Sequence, residues 1–230
     1  MFTPKAKKES EEYYDEEQEP AGCKVIESGT QKESVVILHG PITTENIADA
    51  IQQIIVANLS EQKRLHLVIM SSGGNLTAAF GLIDAIVGST IPIITYGIGE
   101  VLSAGLLIFM AGHHRVLSRN TTVLSHQFST GSGWNKFHEM EAFERGLKMT
   151  QKQVIEFYIK ATQLPLRIIK AKLLSSSDTW LTAEEALKYN LADEVVDGFS
   201  LYTLGNEPSV RVEISEPQLL QEENENSTGV

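Results

Sequence analysis

Cysteine is almost missing from this 230-residue chain. Cys23 stands alone, so no intrachain disulfide can form. One thiol also falls short of a structural zinc site, which needs several ligands, so the chain is read as metal-free and suited to a reducing compartment. Long apolar runs are missing too. The most apolar stretch, residues 101–112, is too short to span a bilayer and is bracketed by Glu100 and His113. It reads as a buried helix. The N-terminal segment has no apolar core of the kind a secretory signal needs. These absences together predict a cytoplasmic protein with no membrane association. Clusters of Lys and Arg are lacking as well, which excludes broad binding to nucleic acid or anionic lipid.

Acid is what the chain has in excess, and it is unevenly spread. The formal net charge is −11. Residues 1–20 carry seven acids against three bases, and residues 205–230 carry six against one. The middle is close to neutral, so the acidity belongs to two tails and says little about a site. Residues 1–22 read as a disordered acidic tail, with the adjacent Tyr13 and Tyr14 able to dock on a partner. Residues 205–230 read as a second flexible tail. Residues 23–204 read as one globular domain, with 42% hydrophobic content in the whole chain to supply its core.

Within the domain, strand and helix signals alternate. Buried strands are predicted at 34–40, 66–70 and 92–96, and short ones near 115–117, 123–125 and 194–196. Helices are predicted over 44–59, 76–88, 103–111, about 135–161, 165–174 and 183–189. Thr43 is a candidate N-cap for the first, with Ile47, Ile51, Ile54, Ile55 and Leu59 on one face. Phe80, Ile83 and Val87 share a side of the second. Thr182 and Glu185 have capping-box spacing for the last. Repetition of this kind implies βαβ units with right-handed crossovers, an α/β fold whose sites lie beyond the strand ends.

Two Gly-rich turns fall at such ends. One is Ser71-Ser72-Gly73-Gly74-Asn75, whose paired glycines expose backbone amides. The other runs from Gly97 to Gly105 and contains Ser103 at the start of an apolar helix, followed by the small Ala104 and Gly105. Free N–H groups and the helix dipole at that point suit a nucleophile beside a developing oxyanion. Ser103 equally suits a plain N-cap. Of six histidines, His126 is best placed to serve as base, because it ends a strand. His113 and His114 follow a helix, His138 starts one, and His39 and His66 sit in strands. Asp178, in a Ser-rich loop before Trp180, is the candidate orienting carboxylate, with Asp193 and Asp197 as competitors.

These pieces, in this order, resemble the ClpP peptidase family. The motifs are S-x-G-G after a strand, G-x-x-x-S-x-G, a strand ending in S-H-Q, and D-x-W-L-T-A-E-E-A-L-x-Y-N-L-A-D-E-V, over roughly residues 24–200. The resemblance implies a crotonase/ClpP-like β-superhelix of repeated βαβ units with a protruding helical handle at about 135–161. It implies Ser103 as nucleophile, His126 as general base and Asp178 as orienting acid. The Ala104 amide and an amide of Gly73 or Gly74 would form the oxyanion hole, with no metal and no cofactor. It further implies heptameric rings stacked in pairs through the handles, enclosing a chamber that degrades unfolded polypeptides. No G-x-x-x-x-G-K-[ST] phosphate loop is present, so ATP-driven unfolding would come from a separate AAA+ Clp-type unfoldase.

The chain departs from the family pattern at Ser72, where Pro is usual, at Ala104 for Met, and at Phe128 for Pro. Ser175, Ser176 and Ser177 stand where charged residues often serve contacts between rings. The departures near Ser103 and before Asp178 motivate one alternative, a catalytically weak ring subunit that modulates a host complex. A phage capsid-maturation protease of the same superfamily is a second. A crotonase-type acyl-CoA enzyme, which shares the implied fold and paired-amide oxyanion hole, is a third, and the Ser-His-Asp set argues against it.

Overall fold

A computed structural model describes residues 22–28, 33–60, 62–129 and 137–198. The two acidic tails, the Gly131-Ser132-Gly133 segment and the side chain of His138 lie outside the described residues.

The chain enters with strand β1 (Gly22–Ser28), antiparallel to β2 (Glu33–His39). Helix α1 (Thr44–Leu59) follows, opened by a capping box between Thr43 and Asn46. Strand β3 (Arg64–Ser71) then lies parallel to β2. Helix α2 (Leu76–Val87) is capped by Asn75. Strand β4 (Ile93–Leu102) lies parallel to β3 and leads into α3 (Ala104–Met110). Strands β5 (His114–Ser118) and β6 (Thr122–Ser125) are followed by the long helix α4 (Phe137–Thr162). The short α5 (Leu166–Ile168) continues as a π-helical turn over Ile169–Leu173. Strand β7 (Thr179–Leu181), helix α6 (Ala183–Lys188) and strand β8 (Glu194–Val196) complete the domain.

The main sheet has the order β1-β2-β3-β4-β5-β8, parallel apart from β1. Strand β4 is shared between two partners. Its first half pairs with β5 through Ile94–Gly97, and its second half pairs with β6 through Glu100–Leu102. The change comes where the β3–β4 register slips between Ile69 and Ser71. Such a bulge bends the strand and lets it leave the plane of the sheet. Strands β6 and β7 form a small antiparallel branch on that bend.

Alternation along β3 sorts the two faces. Leu65, Leu67 and Ile69 face the helices and join the main core, while Val68 joins a smaller cluster with Val35, Tyr96 and Val116. His66 is buried on that second face, between Tyr96 and Glu33, and Arg64 pairs with the same carboxylate. Burial holds its imidazole below the ordinary value, against the pull of Glu33. Its place in the strand is therefore structural.

Helix α3 is buried on every side, as a short, wholly apolar sequence requires. Helix α4 differs along its length. No residue from Met140 to Gln153 is buried, and burial begins at Val154 and Tyr158. Its first half therefore lies at the surface, outside the core.

Several expectations need correction. Ile55 and Leu59 of α1 are exposed, and the buried stripe runs through Ile47, Ala50, Ile54 and Ala57. Small alanines carry that stripe, so isoleucine spacing alone pointed too far round the helix. Val87 of α2 is exposed, and Leu82, Ile83 and Ile86 face the core. The turn expected at 97–103 is strand as far as Leu102. The helix expected over 165–174 is α-helical only at its start. Strands β1 and β7 were not anticipated.

Phe109 is fully buried, so Phe109→Ala should destabilise the fold by about 3–5 kcal/mol. Leu59→Ala, at an exposed site, should stay within about 0.5 kcal/mol. Chemical denaturation of the two variants beside the wild type measures the difference.

Candidate active site

The strand branch at β4 gathers three side chains. Ser103 follows β4, His126 follows β6, and Asp178 precedes β7. Strand β6 pairs with both others, Leu102 opposite Leu124 and Ser125 opposite Thr179. The amide of Ser103 donates to the carbonyl of Leu124 at 2.9 Å, which continues the ladder one residue beyond β4.

Ser103 occupies the N-cap position of α3 yet makes no capping bond. Thr43, Asn75 and Thr182 do cap their helices through side-chain oxygens. Ser103 instead has φ 53° and ψ −120°, a conformation that non-glycine residues rarely adopt. Its Oγ lies 2.7 Å from Nε2 of His126. The strained turn thus lifts the hydroxyl away from the helix axis and toward the imidazole.

Nδ1 of His126 lies 3.9 Å from Oδ1 of Asp178, whose side chain is 59% exposed. That is ion-pair range rather than a hydrogen bond. The competing acids are engaged elsewhere. Asp193 binds Arg115 through both carboxylate oxygens, and Asp197 pairs with Arg119. Burial alone would raise the Asp193 carboxyl, but the hydrogen bonds and charge of Arg115 hold it below its ordinary value. Of the other histidines, His113 accepts from the Ile93 amide, and His114 sits beside Asp193 and Glu194.

The Gly73-Gly74 turn presses against the Ser103 turn. A Cβ on Gly73 would stand 2.7 Å from the Cβ of Ser103 and 3.1 Å from the nitrogen of Ala104, at a φ of +89°. Only glycine fits both demands. The Gly73 amide donates to Ser71 Oγ at 3.1 Å, while Ser71 donates to the Gly40 carbonyl. The Gly73 carbonyl accepts from Ile42, and Gly74 bridges to the same residue. The turn is therefore held rigidly on a neighbouring loop. Gly74, Ala104, Ser103 and His126 line a cleft of about 470 Å³, with Leu107 and Val154 among its apolar walls. Leu106 donates its amide to the Ser103 carbonyl at 3.0 Å, whereas the amides of Ala104 and Gly105 precede the first carbonyl-bonded position of α3.

Three residues near the site have roles that the sequence did not assign, although Ser125 and Gln127 fall within the S-H-Q motif. Ser125 is fully buried and donates to the Leu173 carbonyl at 2.7 Å. Its single proton being used there, it accepts from the Tyr158 hydroxyl, also at 2.7 Å. Burial pushes the Tyr158 hydroxyl up to about 12, which keeps it a donor. Gln127 donates to the Leu174 carbonyl at 3.0 Å. Tyr158 left a signal of another kind, four residues after Val154 on one face of α4. Among the described residues, no group of acids, histidines or thiols could hold a metal ion, and no helix is long and apolar enough to cross a membrane.

A serine at a strained strand-to-helix turn, hydrogen-bonded to a strand-end histidine on a parallel sheet, is an arrangement known from serine hydrolases. A family model described as Clp protease matches residues 18–198, and the chain belongs to that family of proteolytic subunits. It is 28% identical over 168 residues to ATP-dependent Clp protease proteolytic subunit 1 of Chlamydia caviae, covering 71% of this chain and 87% of the relative. It is 29% identical over 178 residues to proteolytic subunit 2 of Pseudomonas aeruginosa, covering 76% and 86%. A solved point mutant of ClpP1 from Listeria monocytogenes shares the fold, with a TM-score of 0.64 and 23% identity over 71% of this chain and 91% of that one. The ClpP-like α/β fold is thus the fold of this chain.

Gly73→Ala should lower peptide turnover at least about tenfold, since the added methyl must displace the Ser103 turn. Its far-UV circular dichroism should match the wild type. Unchanged turnover would separate this turn from the site.

Proposed function

We propose that the chain is a serine endopeptidase that cleaves unfolded polypeptides inside a ring-shaped chamber, fed by a separate AAA+ Clp-type unfoldase. One observation carries the catalytic part: the 2.7 Å contact between Ser103 Oγ and His126 Nε2, made by a serine that does not cap its helix.

In this reading, Ser103 Oγ attacks the peptide carbonyl carbon while Nε2 of His126 takes its proton. His126 is then neutral at rest, with its remaining proton on Nδ1 toward Asp178. The Asp178 carboxylate stabilises the imidazolium that forms. Catalytic hydrogen bonds often tighten only with substrate bound, which accommodates the 3.9 Å separation. The oxyanion is met by the Ala104 amide and by the Gly74 amide, because that of Gly73 already donates to Ser71. His126 returns the proton to the leaving amine, and water, activated the same way, releases the acyl group from Ser103. Every step uses side chains and amides of this chain and water.

The chamber reading draws on the family and on the unburied first half of α4. Met140 and Met149 are both exposed there, apolar surface that a second ring would cover. The distance and exposure of Asp178 favour a second reading, a catalytically weak ring subunit that modulates a partner complex.

A fluorophosphonate should label the wild type, and Ser103→Ala should abolish labelling and peptidase activity while leaving assembly intact. Equal labelling of both would sink the catalytic assignment, and labelling of neither would favour the second reading. For the chamber, sedimentation velocity over a dilution series should show double rings separating readily into single rings, with activity falling in parallel. A protein that stays monomeric at high concentration and cleaves peptides at full rate would defeat it.

A further inference from the structure

We propose that Ser125 and Gln127, the two neighbours of His126, are positioning residues that set the distance between His126 and Asp178. The inference rests on the triad reading above and adds to it a mechanism for holding the acid.

Residues two apart in extended chain point the same way, and the residue between them points the opposite way. His126 turns to Ser103. Ser125 and Gln127 turn to the other side, toward the end of the π-helical segment. There they meet successive carbonyls: Ser125 Oγ donates to Leu173 at 2.7 Å, and Gln127 Nε2 donates to Leu174 at 3.0 Å. The last carbonyls of a helix have no partner within it, and these two gain theirs from the residues on either side of the base.

The clamp lies a short distance in sequence from the acid. Leu174 is anchored by Gln127, and Thr179 is anchored opposite Ser125 in the β6–β7 ladder. Asp178 therefore sits on a short loop whose two ends are both fastened to the strand that carries His126. Within the loop, Ser175 Oγ donates to the Ser177 carbonyl and tightens the turn. Asp178 itself makes no bond short enough to hold it against His126. Its separation from the imidazole is thus inherited from the clamp. The Tyr158 hydroxyl, donating to Ser125, ties the same clamp to α4.

The test is a double-mutant cycle on the assembled full-length chain. Gln127→Met keeps reach and removes the donor, and the side chain is exposed, so folding should survive. Ser125→Ala removes the buried donor. Each should lower kcat about tenfold with KM within about twofold, as expected for an interaction felt in the transition state. The acid limb of the kcat–pH profile should move to lower pH, because a more distant carboxylate stabilises the imidazolium less. In an Asp178→Asn background, Gln127→Met should have no further effect, since the acid it positions is gone. Wild-type kcat in Gln127→Met, or an undiminished loss in the Asp178→Asn background, would overturn the proposal. Ser103→Ala, run alongside, separates the two failures. Full activity there would sink the triad itself, whereas a dead Ser103→Ala beside an unaffected Gln127→Met would remove only the clamp.

Discussion

The parallel pairing of β4 with β6 is the contact from which the site is built. It spans only Glu100–Leu102 against Thr122–Leu124, and the Ser103 amide extends it by one further bond to Leu124. That last bond fixes the backbone of Ser103 just as it turns into α3. The same strand, two residues past Leu124, presents His126. A serine and a histidine that each follow directly on one of two paired strands are thereby brought together, at 2.7 Å between Oγ and Nε2. Pairing of this kind is available because β4 bends at the register slip and leaves β5. A flat strand would have kept β5 as its neighbour throughout and left β6 without a place.

Packing supports this arrangement from behind. Helix α3 is buried along its whole length, with Leu106, Ile108 and Phe109 fully enclosed. A helix so confined cannot rotate to relax the left-handed backbone of Ser103, so the strain persists. On the other side, the Gly73 turn packs so closely on Ser103 that an added Cβ there would stand 2.7 Å from the Cβ of Ser103. Rigidity in the sheet thus holds an unfavourable local conformation at the position where it directs a hydroxyl at the His126 imidazole.

Much of this was legible in the sequence, and the limits have physical causes. Helix α1 was bounded correctly because Thr43 supplies a real cap and the apolar spacing is regular. Helix α6 was found through the Thr182–Glu185 capping box, which forms as expected. Position at the ends of elements made Ser103, His126 and Asp178 candidates, but it left Asp193 and Asp197 open, and the choice among them rests on the resemblance to the family. The three-residue β7 could not be seen, since its pairing with β6 is non-local and its pattern too brief. The length of β4 was missed because its glycines read as a turn, whereas they permit a bend within a continuing strand. The bond between Ser125 and Tyr158 was illegible for a related reason: a buried hydroxyl pair is recognisable only when the partner is in place.

The π-helical turn at Ile169–Leu173 has a consequence for the phase of everything after it. Compared with an α-helix, such a turn accommodates one additional residue in the same coil, closing with the bond from the Leu174 amide to Ile169. Each residue of helix advances the backbone by about 100° around its axis. Excising one residue here would leave a better helix by every local measure, yet it would swing the Leu173 and Leu174 carbonyls through about that angle. The locally less regular coil is the one that brings two carbonyls to Ser125 and Gln127, so in this segment the length of the chain matters more than its propensity.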